Sequence, residues 1–384
     1  MERRPSARSR QEQTSRFCPM MPPPHSHLRT AQRPLGRGGA RLRRMRLHPF
    51  GTTRRPGQRA LSSMRTLRNC SSSSGICRAA MSNFDVPSLM VALREHPVPL
   101  SHMIQLRDVI FEQTGRSNFL FAACRDGEAD GSTLADPELA EALSGVALGQ
   151  WPMGVSAIDS WAAAVLERKP AAVLEFGSGV STVVSAVLMR RIHGTGAVRV
   201  FSVEQGEEAA AQTRARLEAL GLNDLVAIHI APVERTLVDA FDSSGYAVTA
   251  EQMGSFLGDV RPEMVLIDGP FGGYGARFST LPVAHPWLAE DAEIWMDDAL
   301  RDSELAIAHW WTVLGYLSEP SLQFTAKGIV RGQRGDSPRH YAQAAAGLGR
   351  GELQGGEAEY VLFKMRVQAA ADASTGLKPP FQAR

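Results

Sequence analysis

The sequence predicts an α/β fold: a doubly wound, mostly parallel sheet of about seven strands with helices on both faces, led in by a helical N-terminal extension. Three observations predict it. Short apolar runs alternate with amphipathic segments of helical length between residues 171 and 314, the alternation that builds a parallel sheet. A glycine turn, Gly177-Ser178-Gly179, joins the first run to the first of these helices, where open α/β sheets hold ligands at the carboxyl ends of their strands. The 384 residues are 43% hydrophobic and 21% charged, a globular composition with enough apolar surface for a sizeable core.

The elements follow in order. Residues 86–150 read mostly as helices: Ser101 is placed to cap one that carries Met103, Leu106 and Ile110, and Asp136-Pro137-Glu138 starts another that stops near Gly145. Ile158, Trp161, Ala162, Val165 and Leu166 recur at helical spacing between Ser156 and Arg168, and Pro170 ends that helix. Ala171–Phe176 is the first strand. A helix follows with Val180, Val183, Val184, Val187 and Leu188 on one face, ending near Gly194. Val198–Glu204 and Leu225–Ile230 are strands around a helix at Glu207–Leu220, which carries acids early, arginines late and Gly221 as its stop. Met264–Asp268 and Ala292–Met296 are the fourth and fifth strands, and a helix spans Ser303 to about Leu314. Leu322–Val330 and Tyr360–Met365 are read as the last two strands, joined by the Gly/Arg/Gln-rich stretch 331–358 in a hairpin-like ending.

The net charge of +2 hides two unlike parts. Residues 1–80 hold 18 arginines, no lysine and only Glu2 and Glu12 as acids, while the remainder holds 24 basic and 38 acidic side chains. The arm is rich in Ser, Pro and Gly and has no apolar period, so it reads as disordered. Two explanations stay open for it: a genuine basic arm for nucleic acid, a membrane surface or targeting, or an upstream stretch read ahead of an initiator at Met81. Cys18, Cys70 and Cys77 lie in this arm without zinc-site spacing, and four cysteines over this length do not make a disulfide framework. No apolar run reaches the roughly 18–20 residues of a membrane helix. The expectation is a cytoplasmic protein with an α/β ligand-binding body at 151–384 behind a helical lead-in at 81–150.

The glycine loop reads Leu174-Glu175-Phe176-Gly177-Ser178-Gly179-Val180-Ser181-Thr182. A dinucleotide fingerprint wants a third small residue where Thr182 stands. Glu175, two residues before the first glycine, is expected to face the pocket, where it would repel a pyrophosphate and suit a cation. S-adenosylmethionine has an ammonium, a sulfonium and no phosphate. Glu204 ends the second strand beside this loop and can accept the hydroxyls of a ribose, with Gln205 next to it on the adenine side. The expected cofactor-binding residues are therefore Glu175, Phe176, Gly177, Ser178, Gly179, Ser181, Glu204, Gln205 and Asp268.

These residues resemble a known family. Val173–Thr182 is similar to motif I of class I S-adenosylmethionine-dependent methyltransferases, in the small-molecule branch with an LEFGSGxST loop. Phe201-Ser202-Val203-Glu204 resembles that branch's second motif, and Val265-Leu266-Ile267-Asp268-Gly269-Pro270 its fourth-strand motif. The likeness covers about residues 150–365. It implies a Rossmann-like sheet of seven strands with the last one antiparallel, and methyl transfer as the reaction class; the expected acceptor is a small molecule, methylated at oxygen.

Asp268 closes the fourth strand, and Asp297-Asp298 follow the fifth. Two schemes stay open. Asp268 or Asp298 takes the acceptor's proton as a general base, or Asp268, Asp297 and Asp298 hold a divalent cation. The resemblance to catechol-type, metal-dependent O-methyltransferases departs at Asp298, where that branch has Asn, and at Gly269-Pro270. All three acids also suit plain capping roles. The loop Gly272-Gly273-Tyr274-Gly275-Ala276-Arg277 is a candidate lid, and Trp151-Pro152-Met153-Gly154 a candidate cover for the cofactor. His285, His309 and Trp310-Trp311 read as packing residues. The competing function is a nucleic-acid-binding protein that uses the basic arm and keeps the fold without catalysis; a weaker third is an NAD-dependent oxidoreductase.

Overall fold

The computed structural model describes residues 97–101, 103–104, 133–149, 152–238, 241–325, 327–335 and 382–383. The arm at 1–80 and the expected strand at Tyr360–Met365 lie outside the described residues.

A short strand, β1 (Val98–Pro99), is followed by helical residues Leu100, Ser101, Met103 and Ile104. Ser101 thus sits inside the helix rather than at its cap, because the turn begins directly after Pro99. Helix α1 (Pro137–Ala142) starts as its sequence requires: Asp136 accepts hydrogen bonds from the backbone N–H groups of Glu138 and Leu139. Helix α2 (Val155–Arg168) follows and ends at Lys169 in a left-handed conformation. Then come β2 (Val173–Phe176), α3 (Val180–His193), β3 (Val200–Glu204), α4 (Glu207–Ala219) and β4 (Val226–Ile230). Gly194 and Gly221, both with positive φ, close α3 and α4 as expected.

Residues 231–263, left without elements by the sequence reading, form a hairpin and a helix. The hairpin is β5 (Val233–Val238) and β6 (Phe241–Tyr246), and the helix is α5 (Ala250–Leu257). Thr249 and Gln252 make a capping box at the start of α5, a T-x-x-Q signal visible in the sequence. The chain continues through β7 (Met264–Ile267), α6 (Thr280–Ala284), β8 (Glu293–Met296), α7 (Asp302–Val313), β9 (Leu317–Gln323), β10 (Ile329–Arg334) and β11 (Gln382–Ala383).

The apolar stretch Leu322–Val330 is therefore not one strand. It holds the end of β9, a turn and the start of β10. Gly328 has φ 83° and its N–H reaches the Thr325 carbonyl at 2.6 Å, a reversal that a β-branched or bulky residue would resist. The stretch 331–358 consequently does not separate the two strands of this hairpin.

Among the described residues the main sheet has eight strands in the order β1-β9-β10-β8-β7-β2-β3-β4, and β11-β6-β5 form a second sheet. Strands β4, β3, β2, β7 and β8 run parallel, and β10 is antiparallel to both β8 and β9. This is a Rossmann-like, doubly wound sheet of seven strands plus the two-residue edge β1, with the last strand antiparallel. The chain leaves β2 toward β3 and β4, then returns to place β7 on the other side of β2, so the order reverses between β2 and β7.

Side chains alternate across the sheet. Leu174, Phe176, Val203, Val265, Ile267, Ile294 and Met296 pack on one face with α5, α6 and α7. Val173, Val200, Met264, Leu266 and Trp295 pack on the other with α1, α2 and α3. Trp310 and Trp311 are fully buried, as expected of packing residues. No helix of the described residues is long and apolar enough to cross a membrane.

Candidate functional site

A cleft of about 600 Å³ opens where the strand order reverses, at the carboxyl ends of β2, β3 and β7. Gly177, Ser178, Gly179, Val180 and Ser181 form one wall, Glu204, Gln205 and Gly206 the next, and Asp268, Gly269 and Phe271 the third. Pro152, Met153 and Tyr246 complete the rim with residues of α4.

The glycines are required by contact. Gly177 has φ 100°, and a Cβ on it would stand 3.0 Å from the Asp268 carbonyl carbon and the Gly269 nitrogen. The turn after β2 and the turn after β7 therefore meet backbone to backbone. Gly179, with φ 153°, lets α3 begin immediately.

Glu204 is 5% exposed and organises the loop. Its Oε2 accepts from the Ser178 N–H at 2.8 Å and the Ser178 hydroxyl at 2.9 Å, and its Oε1 accepts from the Gly206 N–H at 2.9 Å. A carboxylate offers about four acceptor positions. One remains, and a second opens when the Ser178 hydroxyl turns away. Gln205 lines the cleft and its Oε1 accepts the Phe271 N–H at 2.6 Å, tying the second wall to the third.

Glu175 does not line the cleft, contrary to expectation, and neither does Phe176. The reason is the strand's period. Leu174 and Phe176 point to the α5–α7 face, so Glu175 points to the opposite one, beneath the first turn of α3. It is fully buried there, and Thr182 donates its hydroxyl to Oε2 while accepting the Gly179 N–H at 2.9 Å. Burial raises the Glu175 carboxyl to about 7 against the lowering effect of the Ser181 and Thr182 hydroxyls. Glu175 thus braces the glycine turn from below through Thr182.

The three aspartates are brought together, with carboxylate oxygens within 4.8 Å of one another. Asp268 reaches the cleft with its side chain 15% exposed, while Asp297 and Asp298 lie beneath at 0% and 3%. Two buried cations sit among them. Arg277 donates to Asp298 at 2.9 Å, approaches Asp268 at 3.4 Å and donates to the Asp297 carbonyl at 2.9 Å. Lys327 lies 2.9 Å from Asp298 Oδ1 and 3.3 Å from Asp297 Oδ2. Arg301 adds a contact to Asp298 at 2.9 Å, and Glu304 stands 3.7 Å from Arg277.

The charges set the protonation. Burial and then the Asp297 charge push Asp268 well above the usual carboxylate range, against Arg277. Burial likewise raises Asp297 despite Lys327. Burial also opposes ionisation of Asp298, but Arg277, Lys327 and Arg301 outweigh it and hold its carboxyl low. Burial pulls Lys327 down, and the three aspartates more than reverse it, so its ammonium stays charged.

A divalent ion does not fit this cluster as it stands. The carboxylates it would need already face a buried ammonium and a guanidinium, and a further double charge beside them would be strongly repelled. Asp298 is also misplaced for the role of general base toward an acceptor: it is out of the cleft and tied to three cations. Of the two predicted bases, Asp268 alone reaches the cleft.

The loop after β7 divides in two. Phe271 and Tyr274 are 68% and 47% exposed, whereas Arg277 is 5% exposed and committed to the aspartates. Pro152 and Met153 line the cleft, as the expected cover requires; Trp151 lies outside the described residues. Tyr246 was not foreseen. It comes from β6, is 2% exposed, and its hydroxyl has no hydrogen-bond partner among the described residues. His285 is buried against the Gly335 carbonyl at 3.0 Å, away from the cleft.

No family model matches the chain, and no curated protein matches it in sequence. Solved structures resemble it in shape. The O-methyltransferase from Bacillus cereus, in complex with SAH, is 14% identical with a TM-score of 0.39, over 55% of this chain and 97% of that one. The O-methyltransferase TomG from Streptomyces achromogenes, in complex with SAM, is 14% identical with a TM-score of 0.36, over 52% and 88%. The SAH-bound Podospora anserina methyltransferase PaMTH1 is 14% identical with a TM-score of 0.36, over 57% and 88%.

Proposed function

We propose that this chain is an S-adenosylmethionine-dependent methyltransferase that acts on a small-molecule acceptor at oxygen. One observation carries the reading. The described residues lining the cleft include Glu204, Glu208 and Asp268 and no Lys, Arg or His. A diphosphate would find the start of α3 but no cation to balance it, and Glu204 and Glu208 to oppose it. A ligand with an ammonium and a sulfonium finds those acids favourable. The remaining acceptor capacity of Glu204 suits ribose hydroxyls, Gln205 and Phe271 flank the base, and the opening N–H groups of α3 suit the ligand's carboxylate. Gly177, Ser178, Gly179 and Ser181 line the path between them. Glu175 and Phe176 act from behind, by holding the turn.

The chemistry asks little of the protein beyond placement. The acceptor oxygen attacks the methyl carbon in line with the departing sulfur. The carbon–oxygen bond forms, the carbon–sulfur electron pair stays on sulfur, and the hydroxyl proton leaves. We assign that proton to Asp268, whose side chain reaches the cleft, and holding the two reactants in contact supplies much of the rate.

The test is product formation. Full-length protein, S-adenosylmethionine carrying a labelled methyl group and a panel of hydroxylated aromatic and aliphatic molecules are incubated together. Label appearing in an acceptor, with S-adenosylhomocysteine released in equal amount, supports the reading. Nucleic-acid binding that needs the 1–80 arm, with no cofactor bound to the body, supports the competing function instead.

A further inference from the structure

We infer that Lys327 is the built-in cation of the Asp268–Asp297–Asp298 cluster, standing in the place a divalent metal would take, so that the site works without one. The inference concerns cation occupancy and does not depend on methyl transfer being the reaction.

The observations are geometric. Three carboxylates converge within 4.8 Å, an arrangement capable of gathering an ion. The Lys327 ammonium is 1% exposed and contacts two of them, at 2.9 and 3.3 Å. Its stem is aimed inward by the β9–β10 turn, which is fastened to the loop after β8. The Ala299 N–H donates to the Gly328 carbonyl at 2.9 Å and the Leu300 N–H to the Lys327 carbonyl at 3.2 Å. Gly328 cannot carry a side chain there, since a Cβ would stand 2.6 Å from Leu300 Cγ. Arg277 holds the third carboxylate and the other side of Asp298.

The cluster therefore contains four acids, Asp268, Asp297, Asp298 and Glu304, against Arg277, Arg301 and Lys327. Carboxyl groups outnumber the cations by one, and the side chain among them that reaches the cleft is Asp268. An added Mg²⁺ would lie against a buried ammonium that is 1% exposed. Hard divalent ions also want six or more oxygen ligands, and here those oxygens are shared with nitrogen donors.

The test uses full-length protein and Mn²⁺ as the probe, read by loss of the free-ion paramagnetic resonance signal at about 1 mM metal. The wild type should bind no stoichiometric Mn²⁺, and its melting temperature should not move with EDTA or Mg²⁺. Lys327→Ala should bind one equivalent and melt higher when Mn²⁺ is added. Lys327→Met, which keeps the apolar stem, guards against a folding failure of the alanine variant, and Lys327→Arg should remain metal-blind. One equivalent of Mn²⁺ bound by the wild type and lost in Asp297→Asn overturns the inference. So does a folded Lys327→Ala or Lys327→Met that still takes no metal. If neither variant folds, the wild-type titration decides alone.

Discussion

Gly177 and Gly269 stand so close that neither admits a side chain: a Cβ on Gly269 would lie 2.9 Å from the Gly177 Cα and 2.3 Å from the Tyr246 hydroxyl. This contact locks the turn after β2 to the turn after β7, and it brings the unforeseen hairpin β5–β6 into the cleft through Tyr246. Gly177→Ala adds a methyl group where φ is 100° and backbone lies 3.0 Å away. It should destabilise the protein by about 2 kcal/mol and abolish cofactor binding. Chemical denaturation and calorimetry measure the two effects separately; an alanine variant that binds normally would refute the contact.

Glu204 holds Ser178 and Gly206 and keeps acceptor capacity for a ligand. Glu204→Gln retains the shape and loses the charge. Hydrogen bonds to a charged acceptor are worth about 1.5–3 kcal/mol, so cofactor affinity should fall roughly 10- to 100-fold. Titration calorimetry reads it. Unchanged affinity would remove Glu204 from the binding site.

Glu175 gives a pH signature. Its folded pKa is raised from 4.5 to about 7 by burial. The folded protein therefore binds more protons than the unfolded chain between those values. Stability from this group is fully present below about pH 4.5 and is lost as pH climbs to about 7, a fall on the order of 3 kcal/mol. Glu175→Gln stays neutral and can still accept the Thr182 hydroxyl, so its stability should lack this slope. Urea melts of both proteins from pH 5 to 8, without cofactor, compare them. Parallel curves would contradict the assignment.

Arg277 pairs with the buried Asp298 at 2.9 Å and with Asp268 at 3.4 Å. Removing one partner of such a pair costs about 3–5 kcal/mol. Arg277→Met should lower stability by that amount. Thermal denaturation distinguishes Arg277→Met from an exposed α4 control, Glu218→Gln; equal stability of Arg277→Met and wild type would show the ion cluster to be dispensable.

The parts of the fold that were legible in the sequence are those set by local chemistry. Asp136 caps α1, Gly194 and Gly221 stop α3 and α4, and the apolar runs at 173–176, 264–267 and 293–296 are buried strands. The glycine turn and Glu204 were legible for the same reason. What escaped depended on distant chain segments. The β5–β6 hairpin carries mixed polar residues and belongs to a small second sheet, so no apolar run marks it. Lys327 looked like the interior of a strand because only the turn at Gly328 and its bonds to Ala299 and Leu300 reveal its direction. Adjacency to the glycines points Glu175 toward the cleft; strand alternation sends it under α3 instead.

The claim at the centre of this account is that an acid-lined cleft, without a basic side chain among its described lining residues, takes a sulfonium cofactor and not a dinucleotide. Calorimetric titration of the full-length protein with S-adenosylmethionine and, separately, with NAD tests it most directly. One equivalent of S-adenosylmethionine bound, with no heat from NAD, is the predicted result. Saturable binding of NAD, or silence toward S-adenosylmethionine at millimolar concentration, would contradict it.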